Sequence, residues 1–300
     1  MGCMSKQKIG FIGVGVMGAS IVKHLLKDGY EVNVYNRTKS KADEVVSLGA
    51  IWQDTPKAVT IESDIVFTIV GYPKDVEEVY YSEDGIFAGA TSEKILVDMT
   101  TSTPSLAQKI FATGRERKIE VLDAPVSGGD LGAKNGTLTI MVGGTKEAYQ
   151  IVEPIFNVFS GKVKLQGAAG SGQHTKMANQ IMIAGTMVGM SELLVYANAA
   201  GLELESVLDT VGGGSAQNWS LTNYAPRILR EDFTAGFFVK HFVKDLKIAL
   251  AEAEKMDIQL PGTSLAKELY EKLENQGHGN DGTQALIKLW WPAGVQPKRN

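Results

Sequence analysis

Gly13-Val14-Gly15-Val16-Met17-Gly18 is the stretch that decides the fold. It follows Lys8 to Ile12, an apolar run that reads as a strand. It opens Met17 to Lys27, where Ile21, Val22, Leu25 and Leu26 share one helical face and Asp28-Gly29 supplies a stop. Strand, G-x-G-x-x-G turn and helix in that order form the dinucleotide fingerprint. The first glycine permits the tight turn, the second lets a pyrophosphate approach the backbone, and the third lets helix and strand pack closely. Gly13, Gly15, Val16, Met17 and Gly18 are therefore the expected cofactor contacts, against the plainer reading of a glycine turn without a ligand.

Outward from this motif the pattern repeats to about Lys164. Short runs rich in branched residues, at Glu31 to Tyr35, Ile65 to Ile69, Ile95 to Asp98, Glu120 to Ala124, Leu138 to Val142 and Val163 to Leu165, alternate with segments of helical period. That is the pattern of a parallel sheet covered on both faces. Beyond Gly172 no further strand is expected. Gln173 to Ala200 lacks proline and spans about 40 Å as one helix. Its apolar residues wrap most of the circumference, so burial all round is expected, between domains or in a subunit interface. Helical patterns follow at Glu203 to Val211, Tyr224 to Arg230, Val239 to Met256 and Pro261 to Glu274, and the tail from Pro292 to Asn300 is expected to fray. The expected fold class is α/β: an N-terminal Rossmann dinucleotide-binding domain (residues 1–168) and an all-α C-terminal domain (169–300) for substrate and oligomerisation, joined by a long helix at about 173–200.

Composition narrows the function. A chain of 300 residues with 44% hydrophobic content fills two ordinary cores, which excludes a disordered or fibrous protein. Thirty basic and thirty-four acidic side chains give a net charge of -4 with no long run of either sign. No nucleic-acid or membrane partner is expected, and the partner should be small. Cys3 is the one cysteine, so no internal disulfide can form and a reducing, cytoplasmic setting is favoured. The N-terminus lacks the apolar core of a secretory signal and misses the myristoylation pattern at Lys6. The most apolar stretch, Ile181 to Met190, is too short to span a bilayer. His24, His174, His241 and His278 share no metal spacing, so no metal is expected.

Two further stretches carry chemistry. After the second strand comes Tyr35-Asn36-Arg37-Thr38-Lys39, with no carboxylate to accept a ribose 2'-hydroxyl and repel a 2'-phosphate. Arg37 can pair with a phosphate while Asn36 and Thr38 donate to it, so NADP(H) is favoured and NAD(H) remains possible. Asp123-Ala124-Pro125-Val126-Ser127-Gly128-Gly129 lies at the end of a central strand, the edge at which open α/β sheets bind ligands. The Ser127 hydroxyl and the N–H groups of Gly128 and Gly129 make a nest for a small carboxylate, or else a structural turn. In Gly170-Ser171-Gly172-Gln173-His174-Thr175-Lys176, Lys176 sits in the first two turns of a buried helix. Desolvation and the helix dipole both disfavour its charged form there, which suits a general acid–base, although most lysines reach solvent.

Together with Lys244-Asp245-Leu246, these motifs stand in an order and spacing that resembles the β-hydroxyacid dehydrogenase family of the 3-hydroxyisobutyrate dehydrogenase type, over almost the whole chain. The resemblance implies a catalytic Lys176, carboxylate binding at Ser127, Gly128 and Gly129, a nicotinamide-side hydroxyl at Thr101 and a cofactor or substrate contact from Lys244. The family places asparagine four residues after the lysine. This chain has Gln180 there, which keeps the amide and adds a methylene. The expected enzyme interconverts a small 3-hydroxy acid and its semialdehyde as a homodimer or homotetramer. Glyoxylate/succinic semialdehyde or tartronate semialdehyde reduction is the alternative, and a non-catalytic NADP-binding scaffold or sensor is the rival from another class. Gly212 to Ser215, Trp219 and Phe237 are candidates to line the substrate cavity, and Asp281 is expected to cap a last helix.

Overall fold

The computed structural model describes residues 6–292 and 294. Cys3 and most of the C-terminal tail, with the expectations placed on them, lie outside these. The chain divides into two compact units, residues 1–176 and 177–300.

The first unit is built on strands β1 (Ile9–Ile12), β2 (Val32–Tyr35), β3 (Ile51–Trp52), β4 (Ile65–Thr68), β5 (Ile95–Asp98), β6 (Glu120–Asp123), β7 (Val126–Ser127), β8 (Leu138–Gly143) and β9 (Ser160–Gly167). Their order is β3-β2-β1-β4-β5-β6-β8-β7, with β9 beside β8. The run β3-β2-β1-β4-β5-β6 is parallel throughout, the order of a doubly wound nucleotide-binding sheet. Strands buried on both faces read as continuous apolar runs, which is why Ile9-Gly10-Phe11-Ile12 and Ile65-Val66-Phe67-Thr68 were visible in the sequence. One layer of core packs Phe11, Ile21, Leu25, Val34 and Phe67; the other packs Ile12, Val66, Tyr80, Leu96 and Ile110.

An all-parallel sheet is not what forms beyond β6. β8 runs antiparallel to β6 and to β7, and the pairs Asp123↔Gly143, Val126↔Ile140 and Ser127↔Thr139 keep one register. β6 and β7 are thus one strand bent at Ala124-Pro125, where proline has no N–H for the ladder while its carbonyl accepts from Met141 N–H at 3.0 Å.

The second unit is helical, as expected. The long helix Ser171–Ala199 starts in the first unit and continues into the second. Leu204–Gly212, Trp219–Leu229, Val239–Lys255 and Pro261–Leu273 follow it. The third of these five helices begins earlier than the apolar pattern suggests, because Asn218 caps it by accepting Leu221 N–H at 2.9 Å. Ala184, Met187, Leu194, Phe242, Leu246, Tyr270 and Leu286 form the common core.

Burial of the long helix all round does not occur within one chain. Ala178, Met182, Gly185, Gly189, Glu192 and Tyr196, three or four residues apart, lie on an open face, with Met182 67% and Tyr196 76% exposed. By length and composition alone this helix could cross a membrane. Its inner face is nonetheless the core of the second unit.

Candidate functional site

Register fixes where the loops of the first unit emerge. Ile12 pairs with Tyr35 and Thr68, Thr68 with Asp98, and Asp98 with Asp123, so five strands end in one row. The segments that leave this row are the glycine loop, Asn36–Thr38, the Gly71–Asp75 turn, Thr100–Thr101 and the Ser127 bend. The pairing of β1 with both β2 and β4 makes the switch point of the sheet, where such folds bind ligands.

The glycine loop has a shape that protein packing only partly explains. Gly13 has φ +99°, and a Cβ there would fall 2.0 Å from Ile69 O; at Gly18 a Cβ would fall 2.0 Å from Gly13 O. Both glycines are demanded by the fold. Gly15 is different, since a Cβ on it would meet nothing within 4 Å. Gly15 also caps the helix Val16–Lys27 without a side chain, and the first turn holds no acid. The open space and the uncapped N–H groups fit a pyrophosphate, so the residues present suit a dinucleotide.

Where the sequence places the adenosine contacts, Asn36 is already engaged. Its Oδ1 accepts Val14 N–H at 3.0 Å and its Nδ2 donates to Thr38 O at 2.8 Å. Its role in the structure is to fasten the glycine loop to the end of β2, rather than to hold a free amide ready for phosphate. Arg37 and Thr38 are exposed, and Lys39 lies over the Trp52 ring at 5.0 Å. No acid follows β2 in sequence, yet the fold brings one: Arg37 Nη1 donates to Asp75 Oδ1 at 3.3 Å.

The region expected to bind substrate is bolted together by buried polar bonds that the sequence reading did not single out. Asp123, 3% exposed, accepts Gly170 N–H at 2.8 Å and Gln173 N–H at 2.9 Å, gripping the start of the long helix. Burial raises the Asp123 carboxyl above its ordinary range, against the pull of the Gly170 and Gln173 N–H groups. The Gln173 side chain, fully buried, accepts Ser102 N–H at 3.0 Å and donates to Thr100 O at 2.7 Å. Thr100 in turn donates its N–H to Asp98 Oδ1, and its hydroxyl accepts Val70 N–H, both at 3.0 Å. The half-buried Thr101 therefore sits in a loop fixed to the helix that carries Lys176. Lys176 itself is 5% exposed, one turn beyond Gln173. Gly128 (φ +122°) and Gly129 (φ +62°) hold the left-handed backbone that opens N–H groups beside Ser127. The signals for Asp123 and Gln173 were present, since each lies inside a stretch already chosen for its neighbours.

The second unit holds Gln180 and Lys244 on one carboxylate. Gln180 Nε2 donates to Asp245 Oδ2 at 2.7 Å, and Lys244 Nζ lies 3.1 Å from Asp245 Oδ1. Asn179 Nδ2 donates to Gln180 Oε1 at 2.8 Å. The Gln180 amide is thus engaged at both ends, by Asn179 and Asp245. His241, one turn before Lys244, is pushed down from its ordinary range by burial and by the charges of Lys244 and Lys240, while Asp245 pulls it up.

One expectation falls elsewhere. Asp281 does not cap a helix: it accepts Lys288 Nζ at 2.7 Å and pairs with His278 Nδ1 at 2.8 Å, while Gly282 holds the cap position of Thr283–Leu289. Phe237 packs edge-on against Phe242 at 6.0 Å, and Trp219, 61% exposed, lies edge-on to Tyr224 at 5.1 Å. Among the described residues no group of histidines, cysteines and acids could hold a metal.

Comparison with known proteins agrees with this fold. Residues 8–167 match the NAD binding domain of 6-phosphogluconate dehydrogenase, and residues 170–290 match the family described as NAD-binding of NADP-dependent 3-hydroxyisobutyrate dehydrogenase. The chain is 49% identical to the probable 3-hydroxyisobutyrate dehydrogenase-like protein 1, mitochondrial, of Arabidopsis thaliana, over 94% of this chain and 85% of that one. It is 35% identical to the 2-hydroxy-3-oxopropionate reductase of Escherichia coli K12, over 94% and 96%. In structure it is similar to the Mycobacterium tuberculosis 3-hydroxyisobutyrate dehydrogenase solved with L-serine, with TM-score 0.88, 27% identity and coverage of 95% and 99%.

Proposed function

The chain belongs to the β-hydroxyacid dehydrogenase family, and from that premise we propose that it is an NADP(H)-preferring oxidoreductase that interconverts a small 3-hydroxy acid and its semialdehyde. The observation that carries the reading is the row of strand ends in the first unit, which gathers a glycine loop with room for a pyrophosphate, an open nest at Ser127 and a helix bearing a buried lysine.

In this reading Ser127, Gly128 and Gly129 bind the substrate carboxylate through hydroxyl and N–H donors. Lys176 in its neutral form takes the proton from the substrate hydroxyl during oxidation, and its ammonium returns a proton to the carbonyl oxygen during reduction. A nicotinamide, when bound, supplies or accepts the hydride. Gly13, Gly15, Val16, Met17 and Gly18 would hold the pyrophosphate, Thr101 would contact the nicotinamide ribose, and Arg37 with Thr38 would meet the 2'-phosphate. Gln180 and Lys244 enter as substrate and cofactor contacts through the family likeness, both held by Asp245. Fixing both partners supplies the remaining rate through orientation.

Steady-state rates with 3-hydroxyisobutyrate, succinic semialdehyde, glyoxylate and tartronate semialdehyde, each with both cofactors, test the proposal. A 3-hydroxy acid or its semialdehyde with NADP(H) is expected to give the highest kcat/KM. NADPH binding with no turnover of any of them would leave the non-catalytic sensor instead. The likeness to the 2-hydroxy-3-oxopropionate reductase favours tartronate semialdehyde as the second reading. We further propose a homodimer or homotetramer, because the exposed stripe on the long helix is small and apolar apart from Glu192.

A further inference from the structure

Arg37 is read above as the contact for a 2'-phosphate, and the argument that follows rests on that reading. A carboxylate at the end of β2 would decide against such a phosphate, and none stands there in sequence. Asp75 takes that place from another element. It lies in the first turn of the helix Pro73–Tyr81, which follows β4, and its Oδ1 accepts from Arg37 Nη1 at 3.3 Å. The other oxygen, Oδ2, accepts Tyr72 N–H at 3.0 Å, so the carboxylate is anchored to the backbone of its own turn. Asp75 is 14% exposed and Arg37 is 81% exposed. The acid is the fixed member of the pair, and the guanidinium is the one with room to turn.

We propose that Asp75 sets the discrimination between NADP(H) and NAD(H) by holding Arg37 in competition with the 2'-phosphate. A phosphate arriving at Arg37 must displace or share a guanidinium that already has an anion, and it brings a second negative group close to the first. A 2'-hydroxyl carries no such charge. Both costs therefore fall on the phosphorylated cofactor alone, and Asp75 narrows the preference that Arg37 creates. The pair is largely exposed on the arginine side, so the effect is modest, roughly two- to fivefold in affinity.

The test is Asp75→Asn in the full-length protein, with Kd measured for NADPH, NADH and 2',5'-ADP at low and high sodium chloride. Asparagine keeps an oxygen for Tyr72 N–H and removes the charge, so the thermal midpoint should stay near wild type. The expected result is NADPH and 2',5'-ADP bound roughly two- to fivefold tighter, NADH unchanged, and the gain shrinking as salt screens the site. Weaker NADPH binding, or equal changes for NADPH and NADH, would overturn the proposal. Arg37→Ala separates the two levels of the argument. If it leaves the NADPH-to-NADH ratio as in wild type, the phosphate reading of Arg37 falls, and Asp75 falls with it. If it abolishes the preference while Asp75→Asn changes nothing, only the role of Asp75 is overturned.

Discussion

Single residues in this chain separate packing from chemistry. Gly13 and Gly18 are closed in by backbone, whereas Gly15 faces open space with a backbone (φ -80°, ψ -163°) that alanine can adopt. Gly15→Ala is therefore expected to fold with a thermal midpoint close to wild type and to weaken NADPH by tenfold or more, as isothermal titration would read. Gly13→Ala, with a Cβ driven into Ile69 O, should lose stability as well. Lys176 makes the sharper case. Lys176→Ala is expected to lower kcat by roughly 10² to 10⁴ while NADPH still binds, the range that a positioned acid–base group supplies. Turnover near wild type would remove Lys176 from the proton transfer.

At the scale of elements, local pattern and long-range pairing part company. The parallel strands and the long helix were legible because burial on both faces leaves continuous apolar runs, and an uninterrupted helical stretch leaves no proline. The two-residue strands Ile51–Trp52 and Val126–Ser127 carry too few side chains to show a period. Arg37 with Asp75, Gln173 with Thr100 and Ser102, and Gln180 with Asp245 were illegible for another reason: each joins residues far apart in sequence, and only the sheet order or the helix packing brings them together. The Gln173 bonds hold the Thr101 loop to the start of the long helix. Gln173→Leu, similar in size, leaves Ser102 N–H and Thr100 O buried without partners, and should cost about 1–3 kcal/mol by denaturant melts and raise the KM for cofactor. On the helix Val239–Lys255, His241 makes a pH prediction. Its folded pKa is lowered, so between that value and the unfolded value of about 6.5 the unfolded chain binds the extra proton. The stability it contributes is fully present above that upper limit and is lost as pH falls through the window. His241→Gln should thus lose less thermal stability than wild type between pH 7.5 and 5.5.

For the whole molecule, the open face of the long helix is the feature that one chain leaves unsatisfied. Its inner residues Ala184, Met187, Leu194 and Ala197 are buried in the second core, and the opposite stripe of Ala178, Met182, Gly185, Gly189, Glu192 and Tyr196 faces outward. Gly185 and Gly189 have nothing within 4 Å of where a Cβ would stand, so neither is required by the fold of the single chain. Small residues alternating with Met182 and Tyr196 allow another helix to approach closely, while the large side chains supply the area that association buries. A second copy of the chain is the partner that fits the proposed homo-oligomer. Met182→Asp with Tyr196→Asp adds negative charge beside Glu192 on that face without disturbing the inner one. Size-exclusion chromatography with light scattering should then show mass falling toward 32.3 kDa from that of a dimer or tetramer, with the helical circular dichroism kept. If the double variant assembles as wild type does, the stripe is not the contact, and the assembly must be sought on another surface.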